Sequence, residues 1–225
     1  MSFAPSSSPD LWEPRFIAIA TADPDGDAAH DLTHLRRVWG TARELLQGHA
    51  EADALVVMAA AYLHDLVNLP KNHPQRAQAS TLAARKACAA LADAGFPPDR
   101  LEAVAHAIEA HSHSAGIAPR TIEASIVQDA DRLDALGPVG LARMLHVGAS
   151  LGRAIAHPDD PLAHDRPLDD SRYTLDHIEV KLATLPATMR TAAGRALGEE
   201  RLAWMQDFRA RFAAQWSGSA VPTAI

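Results

Sequence analysis

The sequence predicts an all-α protein, and three observations lead to that prediction. Apolar residues recur at steps of three and four through most of the chain, as they do on one face of an α-helix. No segment alternates apolar and polar side chains over the length of a strand, and no internal repeat is visible. Proline, glycine and short polar clusters separate the periodic segments. We therefore expect a helical bundle.

The first half of the chain contains the clearest helical segments. The segment 54–67 is apolar on nearly all sides, which predicts a central helix with the pair His64-Asp65 in its last turn, before Pro70. An alanine-rich segment closes with Gly95, where a helix C-cap belongs. The predicted helices of this half span residues 11–21, 28–46, 54–67, 75–94 and 98–111.

The second half continues the helical pattern around one long loop. A helix that begins near Pro119 and ends before Gly137 carries several aspartates. The segment 157–172 has no periodicity and contains three prolines and five aspartates, which predicts an ordered loop. Further helices are predicted over residues 139–156, 173–185 and 188–216.

Length and composition indicate one large domain. A chain of 225 residues that is 48% hydrophobic and 22% charged can bury a substantial core. We expect an N-terminal arm and first helix over residues 1–27, the functional domain over 28–217 and a tail over 218–225. The formal charge of -7 gives no electrostatic reason to bind a nucleic-acid polymer or an anionic membrane. The oligomeric state is not indicated.

The cysteine content and the N-terminal segment indicate a cytoplasmic protein. Cys88 is the single cysteine, so no internal disulfide can form, and its alanine-rich surroundings favour a small buried side chain over a catalytic thiol. The N-terminal residues have neither the basic start nor the apolar run of a signal peptide. No apolar run approaches the length that spans a membrane.

Four residues on predicted helices are candidate ligands for one divalent metal ion. An ionised Asp65 at the end of an apolar helix is costly unless its charge is compensated, and a metal ion is an economical partner. For an isolated His-Asp pair, the ordinary interpretation is a hydrogen-bonded core histidine and a capping aspartate. The accompanying residues favour a metal site, because helices of a bundle can bring distant nitrogen and oxygen donors together. The candidate ligands are His34, His64, Asp65 and Asp131.

These residues, taken in order along the chain, resemble the HD-domain superfamily of metal-dependent phosphohydrolases, and most closely its bacterial YedJ/YpgQ-type branch. The similarity extends from about residue 28 to the last helix. The resemblance implies an all-α bundle in which the four candidates bind the metal, while Asp129 and Asp134 flank a ligand as solvated or helix-supporting carboxylates. The matching strings are His30-Asp31-x-x-His34-x-x-Arg37-Val38-Trp39, Tyr62-Leu63-His64-Asp65, Lys71-Asn72-His73-Pro74 and Val127-Gln128-Asp129-Ala130-Asp131-Arg132-Leu133-Asp134-Ala135-Leu136-Gly137.

The chain departs from this family at Asn68. Many HD enzymes carry an acid one turn after the His-Asp pair, where it activates water or assists the leaving group. An amide cannot act as a general base near neutral pH. Three alternatives remain: the metal alone activates water, another residue such as His111 accepts the proton, or the reaction is slow.

Cationic and further histidine side chains are candidates for substrate binding. Lys71 follows the end of the central helix and Arg37 lies one turn beyond His34, so both could face a bound phosphate, although both could equally be solvent-exposed. In related HD proteins a lysine after the His-Asp pair contacts phosphate, which favours Lys71. His106 and His111 are five residues apart and do not share a helix face, so each is considered separately as a ligand, a phosphate contact or a proton carrier.

The sequence therefore predicts a phosphohydrolase that acts on a small phosphorylated substrate, with a nucleotide as the preferred candidate. The cofactor is one divalent ion, Mn, Fe, Co, Ni, Zn or Mg, and the donor set does not select among them. Whether phosphate or pyrophosphate is released stays open. A zinc peptidase is a weak rival, because the residue after His30 is Asp31 instead of glutamate. The other rival is a nucleotide-binding sensor module that keeps the metal ligands but has little turnover.

Overall fold

The computed structural model describes residues 9–22, 32–67, 69, 73–112 and 114–216. Within those residues no strand forms, and the only β-type pairing is an isolated bridge between Ala154 and Tyr173. The all-α prediction is confirmed. The α-helices are α1 (Pro9–Ala20), α2 (Leu32–Leu46), α3 (Ala54–Leu63), α4 (Ala79–Asp93), α5 (Leu101–His111), α6 (Ile122–Leu133), α7 (Gly137–Ser150), α8 (His177–Val180) and α9 (Ala192–Trp216).

The chain forms two compact units, Met1–Asp131 and Arg132–Ile225. In the first unit, α3 is the central helix that its sequence predicts, because residues 55–63 are all buried. It packs against α1, α2, α4 and α5. Asp53 begins this helix as its N-cap: the side chain accepts hydrogen bonds from the backbone nitrogens of Leu55 at 2.9 Å and Val56 at 3.4 Å.

An aromatic cluster attaches α1 to the rest of the first unit. The ring of Trp12 stacks on Phe16 and meets the edge of Phe96, with ring centroids 5.7 and 5.0 Å apart. The hydroxyl of Tyr62 in α3 donates a hydrogen bond of 2.5 Å to Glu13. Burial of these large rings explains why α1 forms despite the proline inside it.

In the second unit, glycines set the ends and the close packing of α7. Gly137 begins the helix with a positive φ of 74°, and Gly152 follows it with a φ of 69°. Within α7, a Cβ on Gly148 would lie 2.2 Å from Oγ1 of Thr174, so only glycine fits there. The long helix α9 packs against α7.

Several helix ends differ from the sequence-based predictions. The central helix ends at Leu63, so His64 is its C-cap and Asp65 lies beyond it. The helix predicted over 139–156 ends at Ser150, where the turn at Gly152 stops it. The segment 173–185 forms short 3₁₀ turns around the four-residue α8 instead of one helix. The predicted domain boundaries at residues 27 and 217 stay predictions. Among the described residues, no helix combines the length and apolarity that crossing a membrane requires.

Candidate metal centre

The four predicted ligands converge within the first unit. His34 lies on α2, His64 and Asp65 lie at the end of α3, and Asp131 lies in the last turn of α6. The Nε2 atom of His34 is 3.7 Å from Oδ2 of Asp65 and 3.5 Å from Oδ1 of Asp131. The Nε2 atom of His64 is 3.2 and 3.7 Å from the same two oxygens. Neighbouring ligands of one ion with bonds of about 2.1 Å are separated by about 3 to 3.5 Å, so these donors have the spacing of a coordination shell.

His111, at the end of α5, belongs to the same cluster. Its Nε2 atom lies 3.7 Å from Oδ1 of Asp65, and its ring centroid lies 4.7 Å from that of His64. Among the described residues, two groups of donor atoms lie within 4.8 Å of one another: His34 with His64 and Asp131, and His64 with Asp65 and His111. His64 is common to both groups, so the cluster comprises three imidazoles and two carboxylates.

The ends of the helices orient two of these imidazole rings. The Nδ1 atom of His64 lies 2.9 Å from the carbonyl oxygen of Ala61, and that of His111 lies 2.6 Å from the carbonyl oxygen of Ile108. A carbonyl can only accept, so Nδ1 carries the proton and donates in both contacts. These carbonyls are in the last turns of their helices, where intrahelical donors are missing. Each ring is thereby fixed with its Nε2 atom available to the cluster.

The Nε2 atom of His64 is the clearest sign that a cation fits. It is fully buried and has no hydrogen-bond partner in the structure. A buried polar atom without a partner is unfavourable, and a metal ion is the standard partner of such an imidazole nitrogen. The C-terminal ends of α3, α5 and α6 also meet here, and the negative ends of three helix dipoles favour a positive charge.

The pKa values of the imidazole rings indicate the same preference of the cluster for a positive charge. Burial opposes protonation of His64, but the charges of Asp65 and Asp131 and the hydrogen bond to the Ala61 carbonyl outweigh it and raise the pKa of His64 to about 9. For His111, burial and then the charge of His64 hold the pKa below its usual value. The two carboxylates therefore attract one positive charge into the cluster, and an imidazole beside it stays neutral.

The carboxylates lie at the accessible side of the cluster. The side chains of Asp65 and Asp131 are 18% and 28% exposed, whereas those of His34 and His64 are 2% and 0% exposed. The nitrogen donors of His34 and His64 are therefore buried, and the oxygen donors are partly exposed to solvent. An ion held here would keep positions for water or substrate, as catalytic metal sites do and closed structural sites do not.

The other predicted site residues have different positions. The guanidinium of Arg37, a half-buried residue, donates a hydrogen bond of 3.1 Å to Thr33 Oγ1 on the preceding turn of α2. His106 is outside both donor groups found among the described residues, and its Nε2 atom accepts a hydrogen bond of 2.9 Å from the backbone nitrogen of Arg120. Lys71 and Asn68 lie outside the described residues, so their predicted roles stay predictions.

Two aspartates next to the candidate ligand Asp131 differ from the solvated interpretation. Asp129 is fully buried, with 0% exposure. Asp134 is 5% exposed and forms an ion pair with Arg143 in the second unit. Burial makes the solvated interpretation wrong for both residues. Asp134 follows the last residue of α6 and contacts α7 through Arg143, and the helix-supporting interpretation stays a prediction.

The sequence analysis gave no role to Gln128. This buried residue of α6 donates a hydrogen bond of 2.6 Å from Nε2 to the carbonyl oxygen of Ala110. The bond attaches α6, one turn before Asp131, to α5, one residue before His111. The signal available in the sequence was a polar residue on the same helix face as Asp131, three positions earlier.

Comparison with known proteins identifies the family. A family model described as the HD domain matches residues 31–136. Protein YpgQ of Bacillus subtilis strain 168 is 30% identical over 189 residues, which cover 82% of this chain and 83% of YpgQ. The chain belongs to the HD-domain superfamily. The matched segment contains all five residues of the cluster, and HD domains bind divalent metal ions.

Solved structures have the same fold. The crystal structure of an HD-superfamily hydrolase from Bacillus thuringiensis is similar with a TM-score of 0.72 and 27% identity, over 94% of this chain and 100% of that chain. The structure of Bacillus subtilis YpgQ in complex with ADP is similar with a TM-score of 0.67 and 27% identity, over 92% and 97% of the two chains. The predicted superfamily and branch are confirmed.

Proposed function

We propose that this protein is a metal-dependent phosphohydrolase whose substrate is a nucleotide. The observation that supports the proposal best is the cluster of three imidazoles and two carboxylates at the ends of α2, α3, α5 and α6. Its nitrogen and oxygen donors lie 3.2 to 3.7 Å apart, which is the spacing of a coordination shell. Membership of the HD-domain superfamily makes hydrolysis the expected chemistry.

The cluster offers a mixed set of ligands to one divalent ion. His34, His64, Asp65 and Asp131 are the proposed ligands, and Mn, Fe, Co, Ni, Zn and Mg remain candidates because nitrogen and carboxylate donors suit several of them. When bound, such an ion polarises a phosphoryl oxygen and makes a water molecule easier to deprotonate. The helix carbonyls behind His64 and His111 hold both rings in place throughout.

His111 is the best-placed described residue for proton transfer. Its Nδ1 proton is engaged by Ile108, and its lowered pKa keeps the ring neutral, so the Nε2 lone pair can accept a proton from an attacking water. Asp65, 3.7 Å away, would stabilise the imidazolium that forms. This assignment gives the reaction a base in a chain that has an amide at Asn68.

A nucleotide is the preferred substrate because of the relatives and the candidate cations. A protein that is 30% identical, YpgQ, has been crystallised in complex with ADP. The cluster contains two carboxylates, so a phosphate group would bind here through a metal ion and through basic side chains. Lys71 is the proposed phosphate contact, with Arg37 as a second candidate on the helix that carries His34.

A metal-dependent activity screen tests the proposal. The metal-free protein is incubated with each candidate ion and with nucleoside mono-, di- and triphosphates, and released phosphate and pyrophosphate are measured separately. We expect turnover with at least one ion and none after chelation. A protein that binds nucleotide tightly but releases neither product with any ion would contradict the enzyme and support the sensor module.

A further inference from the structure

A second polar network connects the opposite ends of the helices that carry the metal cluster. Asp53 is the N-cap of α3, and its Oδ2 atom accepts a hydrogen bond of 2.6 Å from Nε of Arg100, the N-cap of α5. The backbone nitrogen of Asp53 donates a hydrogen bond of 3.0 Å to Oε1 of Glu123, in the first turn of α6. One residue thus contacts the starts of two other helices. We call Asp53, Arg100 and Glu123 the N-terminal network.

The three helices that this network joins each end at the metal cluster. α3 leads to His64 and Asp65, α5 leads to His111, and α6 leads to Asp131. Neither Asp53 nor Glu123 belongs to a donor group found among the described residues, and the guanidinium of Arg100 is not a metal ligand. Any influence on the ion must therefore be transmitted through the helices.

The spacing along the chain makes that transmission direct. His64 follows Asp53 by eleven residues, and His111 follows Arg100 by eleven residues. Eleven residues are about three helical turns, or about 16 Å of helix axis. The ion pair keeps Asp53 and Arg100 at the same height along the axes of α3 and α5. It consequently keeps His64 and His111, whose ring centroids are 4.7 Å apart, at the same height as well. Glu123 lies eight residues before Asp131 and attaches the start of α6 to the start of α3 by accepting a hydrogen bond from the backbone nitrogen of Asp53.

We propose that the N-terminal network consists of positioning residues that set the axial register of the ligand-bearing helices and thereby the affinity of the site for its ion. The inference rests on the proposed metal site. Ligands must be held within about 0.5 Å of their working geometry, so a small axial slip of one helix is enough to weaken binding. The Asp53 and Arg100 side chains are 34% and 29% exposed, and such an ion pair contributes little to folding stability. Its effect should appear at the ligands more than in the stability of the fold.

Co²⁺ binding followed by visible absorption tests this inference without using activity. Arg100→Ala and Glu123→Ala each remove one connection, and we expect roughly tenfold weaker Co²⁺ binding and a changed absorption spectrum, as for outer residues that orient metal ligands. Glu123→Gln keeps an oxygen that can accept from the Asp53 nitrogen, so it should bind Co²⁺ within about twofold of the wild type. All titrations are done well below the melting temperature of every variant.

Glu13→Ala is the matched control. It removes the hydrogen bond between α1 and Tyr62 of α3 in the same unit, but α1 carries no proposed ligand. We expect unchanged Co²⁺ affinity. If Arg100→Ala does not fold, Asp53→Asn replaces it, because the asparagine keeps the α3 cap and loses the ion pair.

The outcomes separate this inference from the proposed function. The positioning role would be overturned if the wild type binds Co²⁺ and the variants Arg100→Ala, Asp53→Asn and Glu123→Ala keep its affinity and absorption spectrum. That result would leave the metal site intact. An equal loss in Glu13→Ala would also overturn the positioning role, because any weakened helix contact would then suffice. A wild-type protein that binds no Co²⁺ and no other candidate ion would overturn the metal site, and this inference with it.

Discussion

Each of the two units contains an acidic centre, and the carboxylate charges of the two centres are balanced differently. In the second unit, Asp176 is fully buried, and both its oxygens accept from the Arg166 guanidinium, at 2.6 and 2.9 Å. The backbone nitrogen of Asp169 donates a further hydrogen bond of 2.8 Å. The charge of Asp176 is therefore balanced within the chain by one guanidinium in bidentate geometry.

In the first unit, the carboxylates of Asp65 and Asp131 face imidazoles. These rings are oriented by helix carbonyls, and the Nε2 atom of His64 is buried without a hydrogen-bond partner. Burial of an aspartate therefore does not by itself mark a functional site. The charge of an aspartate that is paired with a guanidinium is already balanced, whereas aspartates that share a cluster with imidazole nitrogens can form a cation site.

Removing one carboxylate from the cluster should have the largest effect. Asp65→Ala removes an oxygen donor that lies 3.2 Å from His64 and 3.7 Å from His34, so we expect loss of the bound ion and a fall in activity of at least about 100-fold. Metal content after dialysis and the far-ultraviolet circular dichroism spectrum check this prediction. Full metal occupancy in the variant would contradict the ligand assignment, whereas loss of the helical signal would show a structural role.

Removing the carboxylate charge of Asp176 in the second unit should lower the stability of the fold and leave the metal content unchanged. Asp176→Asn leaves the Arg166 guanidinium, with a side chain only 14% exposed, without its counter-charge. Breaking a buried ion pair on one side costs about 3 kcal/mol of unfolding free energy or more. Denaturant titration should show this loss while metal occupancy stays at the wild-type level. An Asp176→Asn protein that lost its ion at full stability would remove the distinction between the two centres.

The two centres also show what the sequence could and could not predict. The long helical segments and the four candidate ligands follow from apolar periodicity and from the HD-type strings, and the structure brings those four side chains together. The role of Asp176 did not follow, because its partner Arg166 lies in a loop without periodicity, and the loop conformation depends on tertiary contacts.

The network of Asp53, Arg100 and Glu123 was missed for a related reason. Each of its residues is an ordinary polar residue near a helix start, where such residues are common. Only the packing of α3, α5 and α6 reveals that they meet. Helix α3 ends at Leu63, before its predicted end, because the Nδ1 atom of His64 turns back to the carbonyl oxygen of Ala61 and caps the helix. Apolar periodicity does not encode this contact.

A third prediction asks which residue of the first centre transfers the proton. His111→Ala should retain metal and lose about 100-fold in turnover, because a general base typically contributes that much. The rate is measured at saturating metal, so that reduced affinity does not contribute. Asn68→Asp is the companion variant: if His111 is the base, the added carboxylate should leave the rate flat or lower it. A higher rate in Asn68→Asp with an unaffected His111→Ala would assign the missing function to position 68.

A smaller effect is expected at Lys71, which tests how the anionic first centre accepts an anionic substrate. Lys71→Met keeps much of the apolar stem and removes the charge, so we expect about tenfold weaker substrate binding at unchanged metal content. Arg37→Met is the parallel variant on α2. The ratio of the two KM values identifies which cation contacts the phosphate. Kinetics identical to the wild type in Lys71→Met would assign that residue to the solvated surface.

His106 provides the smallest test, because it is a buried histidine outside the cluster. Its Nε2 atom accepts from the Arg120 backbone, and its Nδ1 atom is buried without a hydrogen-bond partner. Burial and then the charge of Arg120 lower its pKa, while Glu109 opposes them, whereas the carboxylates raise the pKa of His64. Two buried histidines of one unit should therefore respond to acid in opposite directions.

The sign of the His106 effect follows from its lowered pKa. As the pH falls below about 6.5, the unfolded chain binds a proton at this residue before the folded protein does. The contribution of His106 is therefore fully present above that pH and is lost as the pH falls through the lower pKa of the folded state. His106→Gln keeps a polar side chain without this titration, so its unfolding free energy should decline less between pH 7 and pH 5, by about 1 kcal/mol at most. The wild type and His106→Gln are both measured without metal. The difference between their two profiles of unfolding free energy against pH then reports the contribution of His106 alone. Parallel profiles would show that the neutral form of His106 is not favoured in the fold.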